Sequence, residues 1–348
     1  MDVIDLRSDT VTKPTDEMRR AMAEAEVGDD VFGEDPSINL LQERAAGLMG
    51  KEAGLLTCSG TMSNLITVLT RCSRGDEIIM GEEAHIFWNE AAGVSALAGA
   101  QTRLIPNDSQ GKFNLDQFEA AIRPKGNIHF PPTTLVCLEN THNRCGGGVL
   151  TPQDTSEVAE IAHAAGAKVH LDGARIFNAA VSLEIPASEL AKDVDYVSFC
   201  LSKGLSCPVG SVLCGSQEFI DGARKWRKTV GGGMRQAGIL AAAGLVALDT
   251  MVERLADDHA NARRLAVGLA DIDGLDVDPE SIQSNIVIFG VSKDLGPAAK
   301  LIAALNQKGV KVSSPGPRSI RMVTHREITC GGVDEALGRV SAAVRELA

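Results

Sequence analysis

The sequence predicts an α/β protein: a large domain built on a mostly parallel sheet covered by helices, then a small C-terminal α+β domain. Two observations carry this. Short, near-continuously apolar segments alternate with amphipathic helical stretches, as strands buried on both faces and joined by crossover helices do. With 348 residues the chain is also long enough to bury one large core and a smaller one.

Residues 55–64 run from a short apolar strand through Ser59, Gly60 and Thr61 into an amphipathic helix bearing Leu65, Val68 and Leu69 on one face. Unpaired backbone N–H groups at a helix start, joined by Ser and Thr hydroxyls, bind a dianion well, although an ordinary N-cap reads the same way. The segment matches neither G-x-x-x-x-G-K-[ST] nor G-x-G-x-x-G. The clearest crossover unit follows. A strand over 134–140 leads through a glycine-rich turn at 146–148 into a helix opened by Thr151 and Pro152 and closed near Gly166, and the chain returns as a strand over 168–172. After Met234 an Ala- and Leu-rich helical stretch is predicted through about Ala270, broken at Gly238 and Gly244. Beyond it, strands are predicted over 285–291, 310–313 and 320–324, and helices over 297–307 and 334–347.

Lys203, beside Ser202 and Gly204 at the end of an apolar run, and Asp172, at the end of the 168–172 strand, are the main chemical candidates. An amine so placed can form a Schiff base, and a carboxylate on a neighbouring strand can hold a pyridinium nitrogen protonated. With a phosphate loop upstream, the pair suggests a pyridoxal 5'-phosphate enzyme; alone, Lys203 reads as a solvated lysine. A basic cluster over 223–236, running into Gly231, Gly232 and Gly233, is a second candidate anion site or a solvated face.

The net charge of -12 argues against a nucleic-acid partner, which needs clustered excess Lys and Arg. No window is apolar enough to cross a bilayer and no leader pattern opens the chain, so a cytoplasmic protein is expected. The eight cysteines mostly have apolar neighbours and are read as buried free thiols. No C-x-x-C or H-E-x-x-H occurs, so no catalytic zinc is expected.

Six segments together, 4–12, 27–31, 139–143, 172–178, 201–204 and 231–236, extend across most of the chain. In them it resembles the low-specificity L-threonine aldolases, members of the aspartate-aminotransferase-like class of pyridoxal-phosphate enzymes. The resemblance implies residues 1–16 as an N-terminal arm contributing to the active site, 17–250 as the large cofactor-binding domain and 251–348 as the small domain. It also implies a homotetramer, a dimer of dimers with active sites at the dimer interface.

By the same resemblance, Lys203 holds the cofactor covalently, Asp172 pairs with the pyridinium nitrogen, and Arg175 faces the cofactor's phenolic oxygen. His85 stacks on the pyridine ring and His129 lies near the substrate hydroxyl; as lone histidines, both also read as packed imidazoles. Ser8 and Arg321 match the carboxylate-binding positions, with Arg318 and Arg326 flanking the latter. Ser59, Gly60, Thr61 and Arg235 match the phosphate site, and Lys228 reaches it from a neighbouring subunit. Family members often carry Tyr at the position of Phe32 and an aromatic at that of Asn89, differences that bear on the preference among β-substituents. The implied reaction is retro-aldol cleavage of L-threonine and L-allo-threonine to glycine and acetaldehyde. The alternatives are another pyridoxal-phosphate β-eliminating lyase, an aldolase preferring aromatic substrates such as phenylserine, and a non-catalytic cofactor-binding protein.

Overall fold

A computed structural model describes residues 2–347. In chain order the strands are Ile4–Asp5 (β1), Ala53–Thr57 (β2), Glu77–Gly81 (β3), Gln101–Ile105 (β4), Thr133–Glu139 (β5), Lys168–Asp172 (β6), Tyr196–Cys200 (β7), Ser211–Gly215 (β8), Leu275–Asp276 (β9), Ile286–Val291 (β10), Val310–Lys311 (β11), Ser313–Gly316 (β12) and Ser319–Val323 (β13). Seven of them form one sheet in the order β2-β8-β7-β6-β5-β3-β4. The pairs from β7 to β4 are parallel, and β8 is antiparallel to both its neighbours.

Except at the edge strand β4, where only Ile105 is buried, the strands read as largely apolar runs because both faces of this sheet are covered. Successive side chains of a strand point to opposite faces, and neighbours here fall into different apolar clusters. Leu56, Ile79 and Val136 pack with Met18, Ile38 and Leu41 on one side. Leu55, Ile78 and Leu135 pack with Ile66 and Phe219 on the other. The crossover helix Pro152–Ala164 starts as its sequence predicts: Thr151 and Asp154 form a reciprocal capping box with proline in the first turn, and Gly166 follows with φ +80°.

A second sheet, antiparallel in the order β12-β13-β10-β9, packs with the helices Leu255–Ala270, Ala298–Gln307 and Cys330–Leu347 around Leu265, Phe289, Leu301 and Val340. Ile4 and Leu6 join this cluster, and β1 lies parallel to β11. The start of the chain is therefore tied to its C-terminal part before it runs toward the large sheet.

Three sequence expectations are corrected. The helical stretch after Met234 breaks at residues 251–254, between the helices Gly238–Thr250 and Leu255–Ala270, and neither glycine breaks it. A Cβ at Gly244 would meet Leu41 at 2.9 Å, and one at Gly238 would meet the Asp35 carboxylate at 2.3 Å, so these glycines allow close packing. The strand expected over 310–313 is divided between two sheets, as β11 and β12. All eight cysteines are free, yet Cys330 is exposed and only four are buried. Among the described residues, no helix is long and apolar enough to cross a membrane.

Candidate active site

Parallel strands deliver their carboxyl ends to one edge of a sheet, where ligands of open α/β folds bind. Glu139 and Asp172 end β5 and β6 at that edge, and Ser59, His85 and Lys203 follow β2, β3 and β7 there. The Asp172 carboxylate is buried, with Oδ1 accepting from the Ala174 N–H at 3.1 Å and Oδ2 from Asn64 Nδ2 at 2.8 Å. Burial alone would raise its pKa, but His85, Lys203 and the Asn64 hydrogen bond outweigh it and hold the group below the usual carboxylate value. His85 lies beside it: one nitrogen of His85 and one oxygen each of Asp172 and Glu90 fall within 4.8 Å of one another.

At the start of the 12-residue helix Gly60–Arg71 the Ser59 hydroxyl takes the Met62 N–H, and the Ser59 carbonyl takes that of Ser63. The Gly60 and Thr61 N–H groups therefore have no protein acceptor among the described residues, the arrangement that binds an anion at a helix N-terminus. A Cβ on residue 60 would meet Cys200 Sγ at 3.1 Å, so the loop lies close against β7. Thr12 Oγ1 donates to the Lys203 carbonyl at 2.9 Å, while the Lys203 ammonium makes no hydrogen bond or ion pair among the described residues. A free lysine amine, a buried carboxylate and an open helix N-terminus on one sheet edge fit pyridoxal 5'-phosphate.

The third part of the site comes from the chain start. Asp9, fully buried, forms a bidentate pair with Arg175, whose Nε and Nη2 donate at 2.7 Å each. Burial opposes ionisation of Asp9, but Arg175, helped by Lys203 and Arg321, depresses its pKa well below the usual range. Arg175 Nη1 and Arg321 Nη2 both donate to Asn143 Oδ1, at 3.2 and 3.0 Å. Much of the Arg175 guanidinium thus ties the chain start to the site. Arg321 keeps a buried Nε without a partner. Its burial, then the nearby Arg175, lowers its pKa to about 10, leaving it cationic at neutral pH. Ser8 precedes Asp9 and caps the short turn that follows it, accepting the Thr10 N–H at 3.2 Å.

Other expected residues stand apart from this cluster. His129 is exposed in the loop before β5, at the opposite edge of the sheet from Asp172. Arg235 is exposed and paired with Asp29 at 3.0 Å, and Lys228 is exposed on the last turn of Gln217–Thr229. The basic cluster is only partly a solvated face: Arg227 is buried, donating to Asp30 at 2.5 Å and to the Leu56 carbonyl at 2.8 Å. Phe32 and Asn89 are exposed.

The sequence reading assigned no role to Asn64, Glu90, Glu139, Asn143 or Asp9. Asn64 did carry a signal, since an amide inside a helix beside Leu65 and Val68 is unfavourable without a partner.

The Beta-eliminating lyase family profile matches residues 5–292. Low-specificity L-threonine aldolase 1 of Arabidopsis thaliana is 46% identical over 337 residues, covering 96% of this chain and 94% of its own. The low specificity L-threonine aldolase of Escherichia coli K12 is 42% identical over 327 residues, covering 94% and 95%. A solved threonine aldolase of Leishmania major superposes with a TM-score of 0.81 over 99% of both chains at 20% identity, a likeness of fold alone. The chain belongs to the β-eliminating lyase family, among its low-specificity L-threonine aldolases.

Proposed function

We propose that this protein is a pyridoxal-phosphate-dependent lyase that cleaves β-hydroxy-α-amino acids, L-threonine and L-allo-threonine among them, to glycine and an aldehyde. The observation that carries the reading is the gathering of Lys203, Asp172 and His85 at one sheet edge, beside the arginine Arg321 and the chain start that bears Ser8. When bound, the cofactor supplies an electron sink for the Cα–Cβ bond that breaks. Lys203 is the covalent anchor, Ser59, Gly60 and Thr61 hold the phosphate, and Asp172 faces the ring nitrogen. Arg321 grips the substrate carboxylate, with Ser8 as a second contact, and so selects which bond at Cα is oriented to break. His85, flanked by acids, accepts the β-hydroxyl proton as that bond opens.

Arg235 and Lys228 complete the phosphate site in an assembly of copies of this chain, a homotetramer with active sites at the dimer interface. In that assembly His129 acts at the site of a second copy, because within its own chain it stands at the wrong edge of the sheet. The exposed pair Phe87 and Trp88, whose rings meet edge to face at 5.8 Å, supports such a contact. The chain divides at about residue 250, with residues 1–16 as an arm.

The test is an assay of purified protein with threonine, allo-threonine and phenylserine in both enantiomeric series, with borohydride reduction and peptide mapping. Glycine and aldehyde from the L-series, with the pyridoxyl label on Lys203, are expected. A 2-oxo acid and ammonia would make the enzyme a β-eliminating lyase instead, and label on another lysine would overturn the anchor.

A further inference from the structure

Glu90 belongs to none of the motifs behind the reading above, yet its carboxylate touches the base. It is only 6% exposed. One oxygen, Oε1, lies 2.9 Å from His85 Nδ1 and 2.8 Å from Asn64 Nδ2. The same Nδ2 donates to Asp172 Oδ2 at 2.8 Å, so two buried carboxylates share one amide as their donor. With Nδ2 committed to both acids, the orientation of the amide is determined, and Asn64 Oδ1 must accept from His170 Nε2 at 2.8 Å. Burial pushes His170 down to about 4, so it makes this contact as a neutral imidazole.

An ionised carboxylate on Nδ1 decides which nitrogen of a neutral imidazole carries the proton. We propose that Glu90 is a positioning residue for the base: it holds His85 in the Nδ1–H tautomer, leaving the Nε2 lone pair for the β-hydroxyl proton, and Asn64 ties it to Asp172. The proposal rests on His85 being the base. It makes the acid at the cofactor ring and the acid behind the base two ends of one hydrogen-bonded unit, built on the helix whose first turn holds the phosphate.

The charged groups around His85 are Glu90 and Asp172 at its ring and Glu139, whose Oε2 accepts the His85 backbone N–H at 2.7 Å; Lys203 acts on Asp172 from further away. Burial opposes protonation of the ring, and the Glu90 hydrogen bond with the charges of Asp172 and Glu139 outweighs it, so the imidazole pKa is raised. The half-modification pH of His85 in the cofactor-free protein therefore lies above the ordinary imidazole value of about 6.5, and removing the Glu90 charge moves it down.

Two measurements on wild type, Glu90→Gln and Glu90→Asp test this. In cofactor-free protein, carbethoxylation of His85 by diethyl pyrocarbonate is followed against pH by peptide mass spectrometry, with His163 as internal reference. In holoenzyme, kcat and KM for L-threonine are followed against pH. For Glu90→Gln the half-modification pH of His85 should fall by about one unit while that of His163 stays. Its kcat should fall on the order of a hundredfold, with KM within about threefold. Glu90→Asp should recover the His85 midpoint better than the isosteric Gln does. An unmoved midpoint, unchanged kcat, or Gln restoring more than Asp would overturn the proposal in favour of a packing role. A wild type that fails to cleave threonine would count against the reaction assigned above, while the carbethoxylation midpoint still tests Glu90.

Discussion

Arg318, Arg321 and Arg326 lie within one short stretch, and what each guanidinium touches separates them. Arg318 Nη2 donates to the Val291 carbonyl at 2.6 Å and Arg326 Nη2 to that of Lys13 at 3.0 Å, so both serve the backbone. Arg321 and Arg326 each keep a buried Nε free, but only Arg321 meets Asn143 beside Arg175, through its Nη2. Replacing Arg321 by Ala should raise KM for L-threonine about 10- to 100-fold, the loss of a charged hydrogen bond worth about 1.5–3 kcal/mol, while Arg318→Ala leaves KM within about twofold. The reverse pattern in steady-state kinetics would shift the carboxylate grip to Arg318. At this scale the sequence was legible where residues point to one chemistry together, as Lys203 and Asp172 do with the loop at Ser59, Gly60 and Thr61 upstream. It was silent on Glu90 and Asp9, ordinary acids until the fold supplies their partners. The partners lie far away in sequence: Asp9 meets Arg175 only because β1 anchors the chain start on β11.

Helix starts show how one local rule serves two purposes. Ser59 opens Gly60–Arg71 and Ser216 opens Gln217–Thr229, each accepting a backbone N–H from the first turn, at 3.1 and 3.3 Å. Ser59 follows β2 at the edge where the parallel strands end. Ser216 follows β8, which runs antiparallel to both neighbours and so ends at the other edge. Ser59→Ala and Ser216→Ala should each destabilise the protein by about 1 kcal/mol in denaturant unfolding. Only Ser59→Ala should also weaken cofactor binding, measured by absorbance titration of the cofactor-free protein. Equal cofactor affinities in the two variants would remove the helix start from the phosphate site. The crossover helix after Thr151 was legible because capping is local. The 238–270 stretch was misread because Gly244 is set by its approach to Leu41, a contact no window of sequence contains.

At the scale of the whole molecule, one chain brings Lys203, Asp172 and His85 to one edge of the sheet and leaves His129 at the other. On the proposed mechanism, a second base for the β-hydroxyl comes from another copy. Two imidazoles approaching the hydroxyl from different directions would let either epimer at Cβ find a base, while the anchor and the carboxylate grip keep the L configuration at Cα strict. His129→Asn should shift the threonine to allo-threonine ratio of kcat/KM without abolishing cleavage, since His85 remains. Hybrids, co-expressed with two tags and purified through both, show whether His129 works between copies. Pairing Lys203→Ala with His129→Asn leaves a working lysine only on chains that lack His129, and their partner still carries it, so the hybrid should keep the wild-type ratio. Pairing wild type with a chain bearing both substitutions leaves the working lysine facing a partner without His129, and the hybrid should show the His129→Asn ratio. The opposite assignment of ratios would mean that His129 acts within its own chain, against its position in the fold. A ratio unmoved in every combination would leave His85 as the sole base.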